Sequence, residues 1–176
     1  LNIAPSKYSS SVEYADNSIS KKLKGIAQIH LANLGTRVFY CDLGSFDTHA
    51  DQLSTHDRLW TSASRAIRDF FDDLESHDEA ENVTMFLFSE FGRRVYDNGA
   101  GTDHGAGGVC LAIGPNVKGG EYGNYPSMLE SKLDQGDLVP DIDFRSVYTT
   151  LIEDWMNLDP IPIVGGQFEK PEFIIK

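Results

Sequence analysis

Two short apolar runs, residues 37–43 and 83–88, bracket a long stretch of helical periodicity, and that order constrains the fold more than any other feature. Both runs are nearly continuous in apolar residues, the pattern of strands covered on both faces. Between them, across 53–75, Trp60, Ala63, Ile67, Phe70 and Leu74 mark one helical face, while Arg65, Arg68, Asp69 and Asp72 mark the face turned to water. A strand–helix–strand order predicts a right-handed parallel crossover. The expected fold is therefore α/β, a three-layer sandwich built on a mostly parallel sheet.

The remaining segments add detail. Residues 1–17 read as an extended lead-in. A helix is predicted over 19–34, with Ile19, Leu23, Ile26 and Leu34 on one face and Gly35 as its stop. Residues 91–107 carry five glycines and no periodic pattern, so they read as a long functional loop. A third strand follows over 108–113. The turn at Lys118-Gly119-Gly120 allows an antiparallel addition with 121–125, and 126–140 look irregular. The last helix is predicted over 144–157, with Asp141 or Asp143 as cap and Val147, Leu151 and Trp155 inward. An irregular tail occupies 159–176. At 176 residues, 40% of them hydrophobic, the chain fits one domain with a sizeable core.

Charge narrows the partners. Fifteen basic against 27 acidic residues give a net charge of −12, which disfavours nucleic acid and anionic membrane surfaces. No apolar run approaches the ~20 residues needed to span a bilayer, and no signal peptide is visible in 1–176. Cys41 and Cys110 fall inside apolar runs and read as small core residues rather than as a disulfide or metal pair.

Candidate chemistry collects after the apolar runs, where open α/β sheets place their sites. The segments are FDTHADQ (46–52), FSEFGRR (88–94) and GTDHG (101–105). Asp47, His49, Glu90, Asp103 and His104 form an oxygen and nitrogen donor set suited to a divalent metal. Zinc or manganese suits this mixed set better than magnesium, and calcium is admissible. Each donor has an alternative reading. Asp47 can cap the helix that follows, with His49 merely exposed. Glu90 can pair with Arg93 or Arg94, and Asp103 can close an Asx turn. Arg93 is the candidate for holding an anionic group through a bidentate contact, with Arg94 as its alternate. Among the other histidines, His56 is within reach of the first segment, His30 reads as a packing residue, and His77 suits a helix C-terminus. Arg145, near a helix start, requires an acidic partner. No nucleophile elbow, phosphate-binding loop or dinucleotide fingerprint is present, so the nucleophile is unassigned.

The strings FDTHADQ, FSEFGRR, GTDHG, GGEYGNYP, GDL and DFRSVYTTLIEDW, in this order, resemble a bacterial family catalogued as domain of unknown function 1501. That family is related to the alkaline phosphatase and sulfatase superfamily. The resemblance spans about residues 23–168. It implies an alkaline-phosphatase-like sandwich and metal-ligand roles for Asp47, His49, Glu90 and His104, with Asp103 beside them. It implies a phosphorylated or sulfated small-molecule substrate. It also implies that a first strand and its nucleophile lie upstream, so that this chain is a C-terminal portion, inactive alone, with an open sheet edge or a homo-oligomer that covers it. Family members are often exported by a twin-arginine signal, implying a periplasmic or secreted location. The alternative reading is a non-catalytic binding or assembly protein that keeps the fold.

Overall fold

Asn17 opens the first helix by accepting a hydrogen bond from the Ser20 backbone N–H at 2.9 Å, and the helix α1 runs Ser18–Leu31. The computed structural model describes residues 8–175; the expected lead-in therefore begins outside the described residues. Ile19, Leu23 and Ala27, spaced four apart, are buried on one face of α1. Leu34, expected on that face, is 46% exposed because the helix has already ended at Ala32 and Asn33 turns with positive φ. The second helix, α2, runs Gln52–Glu75 and packs against α1. Its buried stripe is Ala63, Ala66, Phe70 and Leu74, rotated slightly from expectation: Ala66 replaces Ile67, and Trp60, also expected inside, is 41% exposed.

Asp73 shares that buried face and is fully inaccessible to solvent. A buried carboxylate is costly unless hydrogen bonds replace its water. Residues 8–14 supply them. Tyr8 Oη and Tyr14 Oη donate to Oδ2, the latter at 3.0 Å, and Ser11 N–H donates to Oδ1 at 3.1 Å. Longer bonds from Ser10 and Ser11 hydroxyls, both 3.3 Å, complete the cage. At the end of α2, His77 Nδ1 meets the Asp73 carbonyl oxygen at 2.7 Å, the C-terminal role expected for it.

The chain divides after Val83 into two compact units. In the second, strand β1 (Met85–Leu87) pairs antiparallel with β4 (Leu111–Ile113), and β2 (Gly92–Asp97) pairs antiparallel with β3 (Thr102–Gly105). Helix α3 (Phe144–Thr150) continues into a π-helical turn, Leu151–Trp155, and a short helix α4 covers Ile161–Val164. Asp143 caps α3 by accepting from Arg145 N–H at 2.9 Å, and it also receives the Arg145 guanidinium. That pairing supplies the partner Arg145 required and holds the Asp143 carboxyl at about 2. Val147, Leu151 and Trp155 do face inward, around a core with Phe173 and Ile174. The tail is thus not loose: Lys118 N–H donates to the Phe173 carbonyl at 2.8 Å and Ile175 N–H to Asn116 at 2.9 Å.

The expected three-layer sandwich is not what forms. Among the described residues there are four α-helices and two small antiparallel two-stranded sheets, and no parallel sheet. Residues 37–43 have no ladder partner among the described residues, and Val38 and Tyr40 are 68% and 78% exposed. An apolar run describes side chains, not whether a neighbouring strand exists to take up the backbone hydrogen bonds. The 91–107 stretch is likewise not a loop, since it contains the β2–β3 hairpin. Cys41 and Cys110 are both free thiols, and Cys110 is exposed rather than in a core. No helix among the described residues is long and apolar enough to cross a membrane.

Asp73 makes the first unit sensitive to pH on both sides. Burial alone would raise its pKa, but the Tyr8, Ser11, Tyr14 and Ser10 bonds outweigh it and hold it below the ordinary value. Its contribution is complete above about pH 3.9 and is lost as pH falls through the depressed folded value. Burial and the bond to Asp73 push Tyr8 up to about 12, so its contribution is complete below about pH 10 and is lost as pH rises through the folded value. Thermal melts across pH should therefore show a plateau with an acid and an alkaline flank. Asp73→Ala should destabilise the first unit by on the order of 3 kcal/mol in denaturant titrations, because it removes the charged acceptor shared by several donors, most of them half-buried.

Candidate functional site

The loop before α2 is shaped by Ser45, which takes a positive φ of 74°. The turn falls on Ser45 and not on the neighbouring Gly44. A tight bend then brings Thr48 N–H to the Phe46 carbonyl at 2.9 Å. His56, one turn into α2, anchors this bend: its Nε2 lies 3.2 Å from the Phe46 carbonyl oxygen and 3.0 Å from Thr48 Oγ1. A carbonyl only accepts, so Nε2 carries the proton in that contact. The Phe46 ring meets His56 and Trp60 edge-on, at 5.3 and 5.4 Å between centroids. On this anchored loop His49 Nε2 stands 3.2 Å from Asp47 Oδ1, both side chains more than half exposed. Asp51, not Asp47, occupies the N-cap position of α2.

In the second unit the β2–β3 hairpin is set by glycines. Gly92 pairs opposite Gly105, and Arg93 opposite His104. A Cβ on Gly92 would lie 1.9 Å from the Gly107 carbonyl oxygen, and one on Gly105 would lie 2.7 Å from the Arg93 carbonyl carbon. Only glycine allows the backbones this close. The hairpin loop is closed by Asn98, whose Oδ1 accepts from the N–H groups of Ala100 and Gly101 at 3.0 and 2.9 Å. Strand alternation puts Phe91 and Arg93 on one side, with His104 across from Arg93. The Phe91 ring stacks on the His104 imidazole at 4.0 Å and 15°, and the Arg93 guanidinium sits 5.0 Å from the centre of the same ring. Arg93 Nη1 also donates to the Thr102 carbonyl at 2.6 Å.

Of the expected donors, Asp47 and His49 are brought together in the first unit. Glu90, Asp103 and His104 lie in the second. Glu90 is exposed on a bend beyond β1, and among the described residues it pairs with neither Arg93 nor Arg94. Its carboxylate is solvated, so neither an ion pair nor a metal is needed to offset burial. Asp103 is exposed on β3 and accepts from Asn98 Nδ2 at 3.0 Å; alternation points it away from His104. Arg94 pairs with Asp137 at 3.1 Å, a surface ion pair, which leaves Arg93 as the arginine held on the His104 side. His30 pairs with Glu79 at 3.2 Å. Thr48 stands near the candidate site without a distinctive sequence setting, and the roles of Phe46 and Phe91 are not marked by the sequence pattern. Phe46 opens FDTHADQ and Phe91 lies within FSEFGRR, and that placement was the available signal.

A sequence profile for the family described as "Protein of unknown function (DUF1501)" matches residues 7–156. No curated protein matches, and no solved structure does.

The glycine contacts make a direct prediction. Gly92→Ala should lower the stability of the second unit by about 2 kcal/mol or more, since backbone must move to admit the methyl group. Gly119→Ala, which meets open space, should stay within about 0.5 kcal/mol of the parent. Denaturant titration of the two variants reads the difference.

Proposed function

This chain belongs to the DUF1501 family of proteins of unknown function, and we propose that it supplies the metal-binding part of a hydrolase acting on an anionic ester. The observation that carries this reading is the Asp47–His49 pair, 3.2 Å apart on an exposed, anchored loop. Ligand atoms about 2.0–2.1 Å from a tetrahedral zinc ion lie about 3.3 Å from each other. The pair stands close to that spacing, which is also that of the ion pair joining the two side chains, and this proximity supports them as neighbouring ligands. One carboxylate and one imidazole suit zinc or manganese; calcium demands more oxygen donors.

The ligand roles of Glu90 and His104 rest on the resemblance of their motifs. Asp103 contributes least, because its carboxylate is engaged by Asn98. A bound divalent ion would polarise an ester oxygen and lower the pKa of bound water. Arg93, steadied by the Thr102 carbonyl and the Phe91 ring, suits the fork geometry that recognises phosphate or sulfate. The motif order resembling that of alkaline phosphatases and sulfatases supports a phosphoric or sulfuric ester as the substrate class. The sandwich fold is no part of this reading.

Protein purified without chelators should carry stoichiometric divalent metal by elemental analysis. His49→Ala and Asp47→Ala should each weaken zinc or manganese binding by roughly tenfold or more. Metal at background level in the parent chain, or unchanged binding in both variants, would contradict the proposal. Hydrolysis of aryl phosphates or sulfates that persists in His49→Ala would contradict the role given to that residue.

A further inference from the structure

His104 projects from β3 as an exposed side chain. Exposed side chains sample several rotamers, and fixing one of them on binding costs affinity. His104 has a feature that opposes this loss. The Phe91 ring lies nearly parallel to its imidazole, 4.0 Å away, closer than any other aromatic contact described in the chain. The same ring carries Arg93 at 5.0 Å. Phe91 is itself held: its N–H donates to Ser89 Oγ at 3.3 Å, and the following residue is Gly92, locked against Gly107. The order of constraint therefore runs from the glycine-packed backbone to Phe91, and from Phe91 to the two polar side chains.

We infer that Phe91 is the positioning residue of this site: it presets the His104 imidazole for a metal and the Arg93 guanidinium for an anionic group, and touches neither ligand itself. The inference rests on the ligand role proposed for His104. A merely structural Phe91 would need only to fill space, which leucine does as well. A positioning Phe91 needs a flat aromatic face, which leucine lacks and tyrosine keeps.

The test compares Phe91→Leu and Phe91→Tyr in the full chain. Circular dichroism first selects variants with parental secondary structure. Proton–carbon NMR of the His104 ring, assigned with His104→Gln, then reports the stack without any metal. The parent ring protons should be shifted upfield by the phenyl ring current, should move downfield in Phe91→Leu, and should stay near the parent in Phe91→Tyr. Zinc titration should give roughly tenfold weaker binding for Phe91→Leu and near-parental binding for Phe91→Tyr. Unchanged His104 resonances in Phe91→Leu would overturn the inference, as would equal zinc affinity in parent and Phe91→Leu. A parent chain that binds no zinc would instead overturn the proposed metal function, and the positioning role toward metal with it, while the NMR shifts would still record the stack. If Phe91→Leu does not fold, Phe91→Tyr decides alone: displaced His104 resonances together with lost zinc affinity overturn the inference, and parental values in both support it.

Discussion

An exposed polar side chain keeps a fixed position only when something beneath it does not move, and in both units of this chain that support is a phenylalanine. Phe46 meets His56 and Trp60 edge-on, and His56 also ties down the Phe46 carbonyl and Thr48 on the loop that bears Asp47 and His49. Phe91 lies face to face with His104 and under Arg93. Aromatic rings suit this role because they bury much surface with few rotatable bonds and offer directional contacts to cations and imidazoles. The chemistry that the motifs carry is thus held by their neighbouring aromatic residues rather than by the buried strand ends that the sequence pattern suggested.

Each unit also has a polar or steric constraint that fixes its backbone. In the first it is the buried Asp73 carboxylate with its tyrosine and serine donors, at the other end of α2 from His56 and Trp60. In the second it is the backbone approach of Gly92 to Gly107. The two solutions differ in sensitivity. A hydrogen-bonded carboxylate fails when protonated, whereas a glycine contact responds only to added atoms.

The helices were legible because their periodicity runs for several turns. The 24 residues of α2 repeat the pattern often enough to place Ala63, Phe70 and Leu74 inside. Asp143 was legible as a cap because an acid stands immediately before a helical stripe. The sheet was not legible. Residues 37–43 have the composition of a buried strand, yet pairing depends on a partner far away in sequence, which local pattern does not encode. The hairpin over 92–105 was hidden by its own glycines: they remove the apolar alternation that marks a strand, and they are present because the backbones touch. The Asp47–His49 pair was readable from its spacing, and within the Gly44-Ser45 step that precedes it Ser45 takes the positive φ. The position of His56 one turn into α2 puts it within reach of that loop, where it anchors the Phe46 carbonyl and Thr48.

The central claim is that Asp47 and His49 are adjacent ligands of one divalent ion. Crystals grown with zinc, with data collected on both sides of the zinc absorption edge, address it directly by locating the ion from its anomalous signal. The account predicts a peak about 2.0–2.1 Å from both Asp47 Oδ1 and His49 Nε2. A zinc peak bound by other residues, with Asp47 and His49 still paired only to each other, would contradict it.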